Sequence, residues 1–388
     1  MGYKSDSMAT FIHTADLHLG RQLYGERLLE DQRVVLDQLA ELVAQRRPTA
    51  VLIAGDVYDR SVPPAEAVEL LDALVVRVAS ELETPVVMIP GNHDSADRLG
   101  FGAKLLGAGR LHTIGQLDDQ ITPVVLHDDH GEILIFPIPF LEPPRVREVT
   151  GDARVRDQQT AWAAVLDQVR AIAKQRRTVL VGHAFVQGGS VSESERPLSI
   201  GGADTIDAGL FADIHYVALG HLHQAQSVGS ERVQYSGSPL KYSLSELAHK
   251  KAFTVVQMDG AGDIEVERVP IQPRRDLRRI TGELHTLLNT EPVGPADDYV
   301  VVQLQDKGPV HEPMARLREI YPNALHIERV QAQASAPGRF AGRDHRVVDL
   351  QSHFSDFFSA VTGEPMSADE SALLHTVLGR LDAEETSA

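Results

Sequence analysis

The stretch Ala50-Val-Leu-Ile-Ala-Gly-Asp-Val-Tyr-Asp59 decides how the chain is read. Ala50 to Ala54 is a short, β-branched-rich apolar run bounded by a turn signal, the pattern of a buried strand that ends on Gly55-Asp56. Val86 to Ile89 repeats it and ends on Gly91-Asn92-His93-Asp94. Between the two, Ala65 to Leu82 carries Val68, Leu71, Leu74, Val75 and Val78 at helical spacing, with Pro63 and Pro64 ahead as a start signal. Upstream, Glu26 to Arg47 is similar, with Leu29, Val34, Leu36, Leu39, Leu42 and Val43 apolar and Pro48 ending the helix.

Beyond residue 110 the runs become shorter and more strand-like: Pro123 to Leu126, Ile133 to Pro137, Thr178 to Val181, His215 to Leu219, Val233 to Tyr235 and Ala252 to Gln257. Thr160 to Lys174 interrupts them as a helix. So few helical runs cannot cover both faces of one large parallel sheet, whereas two sheets packed together with helices outside accommodate the mixture. The sequence therefore predicts a layered α/β sandwich over residues 8–270. After the composition shift at Pro270 to Arg279, Tyr299 to Leu304 reads as a strand, Glu312 to Ile320 as a helix and Ala324 to Val330 as a strand. A small separate α/β unit over 271–335 is expected. Residues 336–388 follow as linker and helices: Gln331 to His345 is Ala-, Gly- and Ser-rich, and Asp349 to Thr362 and Ser367 to Leu381 are amphipathic, split by Gly363 and Pro365. Leu350, Phe354, Phe357, Phe358 and Val361 give the first of these helices an apolar face that so short a hairpin cannot bury, which points to a docking surface.

Composition narrows the class. At 388 residues, two or three domains are expected. An apolar fraction of 43% and a charged fraction of 24% match an ordinary soluble globular protein, and no apolar run is long enough for a membrane span. Without cysteine a disulfide framework and thiolate metal sites are excluded, in keeping with a reducing cytosol. The polar stretch Gly2 to Ser7 ahead of Met8 reads as a cloning remnant, so residues 1–7 are left out of the fold. The formal charge of −18 repels a polyanion at long range. Bound divalent cations, a basic partner, or a cluster such as Arg274, Arg275, Arg278 and Arg279 would have to offset it locally, although the Arg cluster reads equally as a solvated face.

The chemistry lies in five short segments: Asp16-Leu-His18, Gly55-Asp56-Val-Tyr-Asp59, Gly91-Asn92-His93-Asp94, Gly182-His183 and Gly220-His221-Leu-His223. Each follows an apolar strand. Carboxylate, amide oxygen and imidazole suit hard to borderline divalent ions, and strand ends hold them rigidly. The glycines are expected to let the backbone turn so that the next side chain enters a shared cleft. Asp16 with His18, and His221 with His223, are two apart and project to one side of an extended backbone. Asp56, the central acid in the order, is the expected bridge between two ions roughly 3.5–4 Å apart. A lone Asp-x-His or Gly-His is common in loops; five such segments in one order, all at strand ends, are not. The remaining histidines lack this context and receive no role.

At these segments the chain resembles the calcineurin-like metallophosphoesterases, and more closely the nuclease-subunit family of bacterial SbcCD complexes. The closer match rests on Gly55 to Asp59, on Ser194-Glu-Arg-Pro-Leu-Ser-Ile-Gly-Gly202 and on Tyr235-Ser-Gly-Ser-Pro-Leu-Lys-Tyr242. It covers nearly the whole chain from Met8, most firmly over residues 10–245. The resemblance implies a four-layer αββα sandwich with two metals, one on Asp16, His18, Asp56 and His223 and the other on Asp56, Asn92, His183 and His221. Manganese is the implied metal, with magnesium the alternative. His93 is implied to contact the scissile phosphate or protonate the leaving oxygen. Eukaryotic and archaeal relatives carry a second catalytic histidine where this chain has Asp59, which is expected to orient His93 instead. Arg21, Arg60, Lys241, Arg274 and Arg275 are candidate DNA contacts.

The resemblance further implies DNA as substrate, residues 271–335 as a cap, terminal helices docking the SMC-like coiled-coil ATPase SbcC, and a homodimer, through helices near 65–82 and 98–106, that completes a heterotetramer. Exonuclease action on double-stranded ends and endonuclease action on hairpins in DNA repair and recombination, and a cytoplasmic, nucleoid-associated protein, follow. The expected mechanism is in-line attack on the phosphodiester by a hydroxide held between the metals. Two rivals are a phosphatase or small-nucleotide phosphodiesterase using the same centre, and a non-catalytic scaffold on the same fold. The sequence after residue 270 argues against the first and the full ligand set against the second.

Overall fold

The computed structural model describes residues 8–106, 109–195, 205–329, 354–355, 357–359 and 362–385. The stretch read as a cloning remnant (1–7), the stretch read as a linker (331–345), most of the stretch expected as a helix over 349–362 and residues 196–202 of the Ser194–Gly202 motif lie outside the described residues. The chain divides into two compact units, one of residues up to 278 together with 297–300, the other of 279–296 and 301 onward.

The first unit holds two six-stranded sheets. One runs in the order Ile264–Pro270, Ala252–Met258, Ala9–Thr14, Ala50–Ala54, Val86–Ile89, Leu111–Thr113, and its last four strands are parallel. The helices Leu29–Arg46 and Ala65–Val75 are the crossovers between those parallel strands, and right-handed crossovers place both on one face. The other sheet runs Gln226–Val228, Ser230–Tyr235, Tyr216–Gly220, Arg177–His183, Gly131–Pro137, Val124–Asp128, parallel at its four central strands.

Strand alternation sorts the core into layers. Phe11, Leu52, Val87, Ile135, Val179, Val181, Tyr216, Ala218 and Val256 form the buried layer between the sheets. Ile12, Val51 and Ile53, one residue out of phase, are buried on the opposite face, completed by Val35, Leu39 and Val43 of one crossover helix and Leu70 and Leu74 of the other. On the outer face of the second sheet, Leu134, Phe136, Leu180, Val217 and Leu219 meet Trp162, Val165, Leu166 and Val169 of the helix Gln158–Ala173. That helix opens with a reciprocal cap between Asp157 and Thr160. The result is helices, sheet, sheet, helix, and the carboxyl ends of the parallel strands gather at one edge, where an open α/β sheet offers its binding crevice.

Some local readings are corrected. The helix expected from Glu26 begins at Leu29, because Glu26–Arg27 pairs with Gln22–Leu23 across Gly25, whose φ is +88°. The helix from Ala65 opens into a π-helical turn over Val76–Glu81. The strand Ile264–Pro270 and the helix Pro143–Thr150 went unread; the first is a half-exposed edge strand with charges between its apolar residues, and the second is a short surface segment.

The second unit holds most of a three-stranded sheet in the order Leu277–Gly282, Tyr299–Leu304, Ala324–Arg329. Its helices Leu284–Asn289 and Pro313–Arg318 pack on each other and bury Leu284, Leu287 and Leu317. Farther along, the helix Ala368–Glu385 keeps Leu373 and Val377 exposed, and Phe354 and Phe357, also exposed, lie 6.3 Å apart.

Trp162 is fully buried, stacks edge-on against Phe211 at 5.7 Å and lies beneath Gly182, where an added Cβ would come 2.7 Å from the indole. Trp162→Ala is expected to cost about 3–5 kcal/mol, read as a fall in denaturant midpoint. The folded variant should still take up metal, and a wild-type midpoint would contradict this packing.

Candidate metal centre

The five segments meet at the gathered strand ends. Asp16, His18 and Leu19 donate their main-chain N–H groups to the carbonyls of Gly55, Asp56 and Val57 at 3.0, 3.0 and 2.9 Å, so the two loops continue the pairing of their strands. The Asp94 carboxylate accepts from Val57 N, Tyr58 N and Gly91 N at 3.0, 2.8 and 2.9 Å and fastens the Asp56 loop to the Asn92 loop. Gln32 donates to the carbonyls of Leu17 and His18 at 3.2 and 2.7 Å and holds the first loop from behind.

The glycines do a different job from the one expected. Of the four that precede ligands, only Gly55 has positive φ, whereas Asp16, His18, Asp56 and His221 themselves do, at 53°, 44°, 48° and 104°. Asp and His tolerate this region better than most residues, and the pairing around them holds the strain. Gly91 and Gly220 are required by close approach: an added Cβ would lie 2.2 Å from Asp56 Oδ1 and 1.9 Å from the Ala54 carbonyl.

Asp56 stands at the middle. Its Oδ2 lies 3.7 Å from His18 Nε2, 3.6 Å from His183 Nε2 and 3.9 Å from His93 Nε2, while its Oδ1 accepts from His93 N at 2.9 Å. On one side, Asp16, His18 and His223 offer ligand atoms within 4.8 Å of one another, and His18 Nε2 faces His223 Nε2 at 3.1 Å. On the other, Asp16, Asp56 and His183 form a second such group, with Asn92 Oδ1 2.9 Å from His183 Nε2. His183 Nδ1 donates to the Ala54 carbonyl at 2.9 Å, which leaves its Nε2 a lone pair. His221 lies edge-on to His183 at 5.4 Å and donates its main-chain N–H to Asp16.

Asp16, His18, Asp56, His183, His221 and His223 are all buried. Burial, reinforced by the charge of Asp56, pushes the Asp16 carboxyl well up, and burial drives His18 and His221 well down and His183 and His223 down to about 4. The centre is thus a buried cluster of carboxyl groups and imidazoles drawn from separate segments. Such a donor set of oxygen and imidazole fits two divalent ions and provides no thiolate.

The remaining predicted residues divide. His93 Nδ1 donates to the Asp59 main-chain carbonyl at 2.9 Å, so Asp59 orients His93 through its backbone. The Asp59 carboxylate instead accepts from Arg21 at 3.0 Å and lies 3.6 Å from Arg60 Nε. Arg21 also lies over the Tyr242 ring at 5.2 Å. Lys241 is committed to Asp276, 2.8 Å away, and Arg275 to Tyr299 and Asp297, while Arg274 is exposed. Sequence reasoning missed Gln32, Asp94, Glu195, Glu246 and Lys251, whose partners are mostly far away in the chain.

Because folded His183 and His223 resist protonation until about pH 4 while the unfolded chain takes up protons near 6.5, protein stripped of metal should lose stability as pH falls through that window. Denaturant midpoints at neutral pH and at about pH 5 measure this. Equal midpoints would contradict buried, neutral imidazoles.

The calcineurin-like phosphoesterase profile matches residues 9–225, and a profile described as a type 5 capsule protein repressor C-terminal domain matches 273–362. The D component of the SbcCD nuclease from Staphylococcus saprophyticus is 32% identical over 95% of this chain and 98% of its own length. Its counterpart in Staphylococcus epidermidis is 33% identical over 93% of this chain and 95% of its own. Among solved structures, a dimetal phosphatase from Danio rerio aligns over 67% of this chain and 99% of its own at a TM-score of 0.42 and 14% identity. The chain belongs to the calcineurin-like phosphoesterases and, within them, to the SbcD family of metal-dependent hydrolases, the nuclease components of SbcCD.

Proposed function

We propose that this chain is a manganese-dependent DNA nuclease whose centre hydrolyses the phosphodiester backbone. The observation that carries the reading is the convergence at Asp56, whose Oδ2 lies within 3.9 Å of Nε2 atoms from three separate segments. Asp16, His18, Asp56 and His223 would hold one divalent ion, and Asp56, Asn92, His183 and His221 the other. When bound, the ions supply charge neutralisation at the phosphate and acidify water.

The chain's own residues do the rest. His93, fixed through Nδ1 by the Asp59 carbonyl, turns Nε2 toward Asp56 and the reacting phosphate. Protonated, Nε2 gives its proton to the leaving oxygen as the phosphorus–oxygen bond breaks; neutral, it accepts one from the attacking water. Arg21, held by Asp59 and Tyr242 at the half-exposed mouth, contacts a neighbouring phosphate, with exposed Arg60 beside it. These cations offset locally the repulsion from the net charge of −18.

In this reading the substrates are double-stranded ends and hairpins met in DNA repair and recombination. Residues 271–335 cap the site, and residues 336–388 dock SbcC, the SMC-like coiled-coil ATPase. The exposed Phe354, Phe357, Leu373 and Val377 support docking, as does the naming of the relatives as components of SbcCD. Exposed Phe101 and Leu105 support a homodimer. The reading places the complex in the cytoplasm on the nucleoid; no helix among the described residues is long and apolar enough to cross a membrane.

The test compares plasmid, hairpin and nucleotide substrates with manganese, for the chain alone and with its ATPase partner. Cleavage of DNA ends and hairpins is expected, and hydrolysis of nucleotides without DNA cleavage would contradict the reading. His93→Ala should keep both metals and lose roughly 10²–10⁴-fold in turnover, while Asp56→Ala should lose the metals. An Asp56→Ala protein that cleaves DNA normally would rule out the bridge.

A further inference from the structure

Two motifs beside the centre contribute no ligand: Ser194-Glu195 and the Tyr235–Tyr242 stretch. Both end at a fully buried carboxylate, Glu246. Its Oε1 accepts from Ser194 Oγ at 2.5 Å and from Tyr242 N at 3.2 Å, and lies 3.1 Å from His223 Nδ1. Its Oε2 accepts from Lys251 Nζ at 2.5 Å and from Ser238 Oγ at 3.3 Å. Lys251, itself largely buried, also donates to the His223 carbonyl at 2.9 Å and to Ser238 Oγ at 2.7 Å. Glu195 accepts the His223 main-chain N–H at 2.6 Å.

The donor order is determined. Ser194 Oγ gives its proton to Glu246, so it receives one from His223 Nδ1 at 2.8 Å, or His223 gives that proton to Glu246 directly. Either way Nδ1 carries the hydrogen and Nε2, facing His18 Nε2, carries the lone pair. A buried ion pair is a poor device for stability, since an apolar replacement of similar volume is often neutral or better. Its value here is orientation, because a ligand imidazole needs one tautomer and one ring plane.

We propose that Glu246, clamped by Lys251, is a positioning residue that sets the tautomer and ring orientation of His223 and thereby the metal affinity of the Asp16, His18 and His223 side of the centre. The inference rests on the metal reading above. Neither residue touches the reacting atoms.

The test is manganese titration by calorimetry of wild type, Glu246→Gln and Ser194→Ala, with the tautomer of His223 read by ¹⁵N NMR on protein stripped of metal. Glu246→Gln keeps the shape and removes the anion. It should retain the fold by circular dichroism, weaken one of the two manganese sites by roughly 10–100-fold, and raise the Nε2–H population of His223. Ser194→Ala should give a smaller loss at the same site. A merely structural role would lower the melting temperature and leave affinity and tautomer as in wild type. That result in a folded Glu246→Gln protein would overturn the proposal, and so would equal weakening of both sites. If Glu246→Gln does not fold, Ser194→Ala decides by the same two readouts. Wild type that binds no manganese would sink the metal reading and this inference with it, whereas wild type with two sites and an unaffected variant would sink this inference alone.

Discussion

The carboxyl groups of Asp16 and Asp56 are buried among imidazoles that burial drives toward the neutral form, and the cost of holding acids out of water at this edge is the constraint on which the rest depends. Removing a carboxylate from water is costly unless something cationic meets it. The chain meets that demand with geometry. Strand ends from two sheets bring carboxyl and imidazole groups to one spot, where divalent ions would offset the cost. Metal binding at this edge would therefore be tied to its folding, as expected where a site exists only in the folded state.

The sandwich makes the convergence possible. Parallel strands point their carboxyl ends one way, and two sheets at van der Waals distance put Ala54 and Gly220 so close that no Cβ fits between them. Loops that start from such fixed points need little further restraint. Asp94 and Gln32 provide it by capturing main-chain groups of these loops, and Asp16, His18, Asp56 and His221 at positive φ are strained positions that the pairing over-determines.

The layered fold and the segments that converge at its edge were legible because their signals are local. Ala50–Ala54 and Val86–Ile89 announce buried strands, and an acid or amide just past a glycine beyond each announces what the strand end delivers. Asp56 stood out because it is the central acid in the order, and its carboxylate lies where the segments converge. The strain was not legible, since glycine is the usual carrier of positive φ and here Asp16, His18, Asp56 and His221 carry it. The supporting layer was also invisible. Glu246 and Lys251 sit in a polar stretch that reads as surface, and their partners are separated by as much as 52 residues, from Ser194 to Glu246. Asp59 was read as the partner of His93, and the group that meets His93 is its main-chain carbonyl, a contact that any residue at this position could supply.

The most direct measurement is anomalous scattering from a crystal of this chain equilibrated with manganese. The account predicts two peaks roughly 3.5–4 Å apart, with Asp56 between them and His18, His223, His183 and Asn92 around them. No peak at this edge, or a single peak away from Asp56, would contradict it.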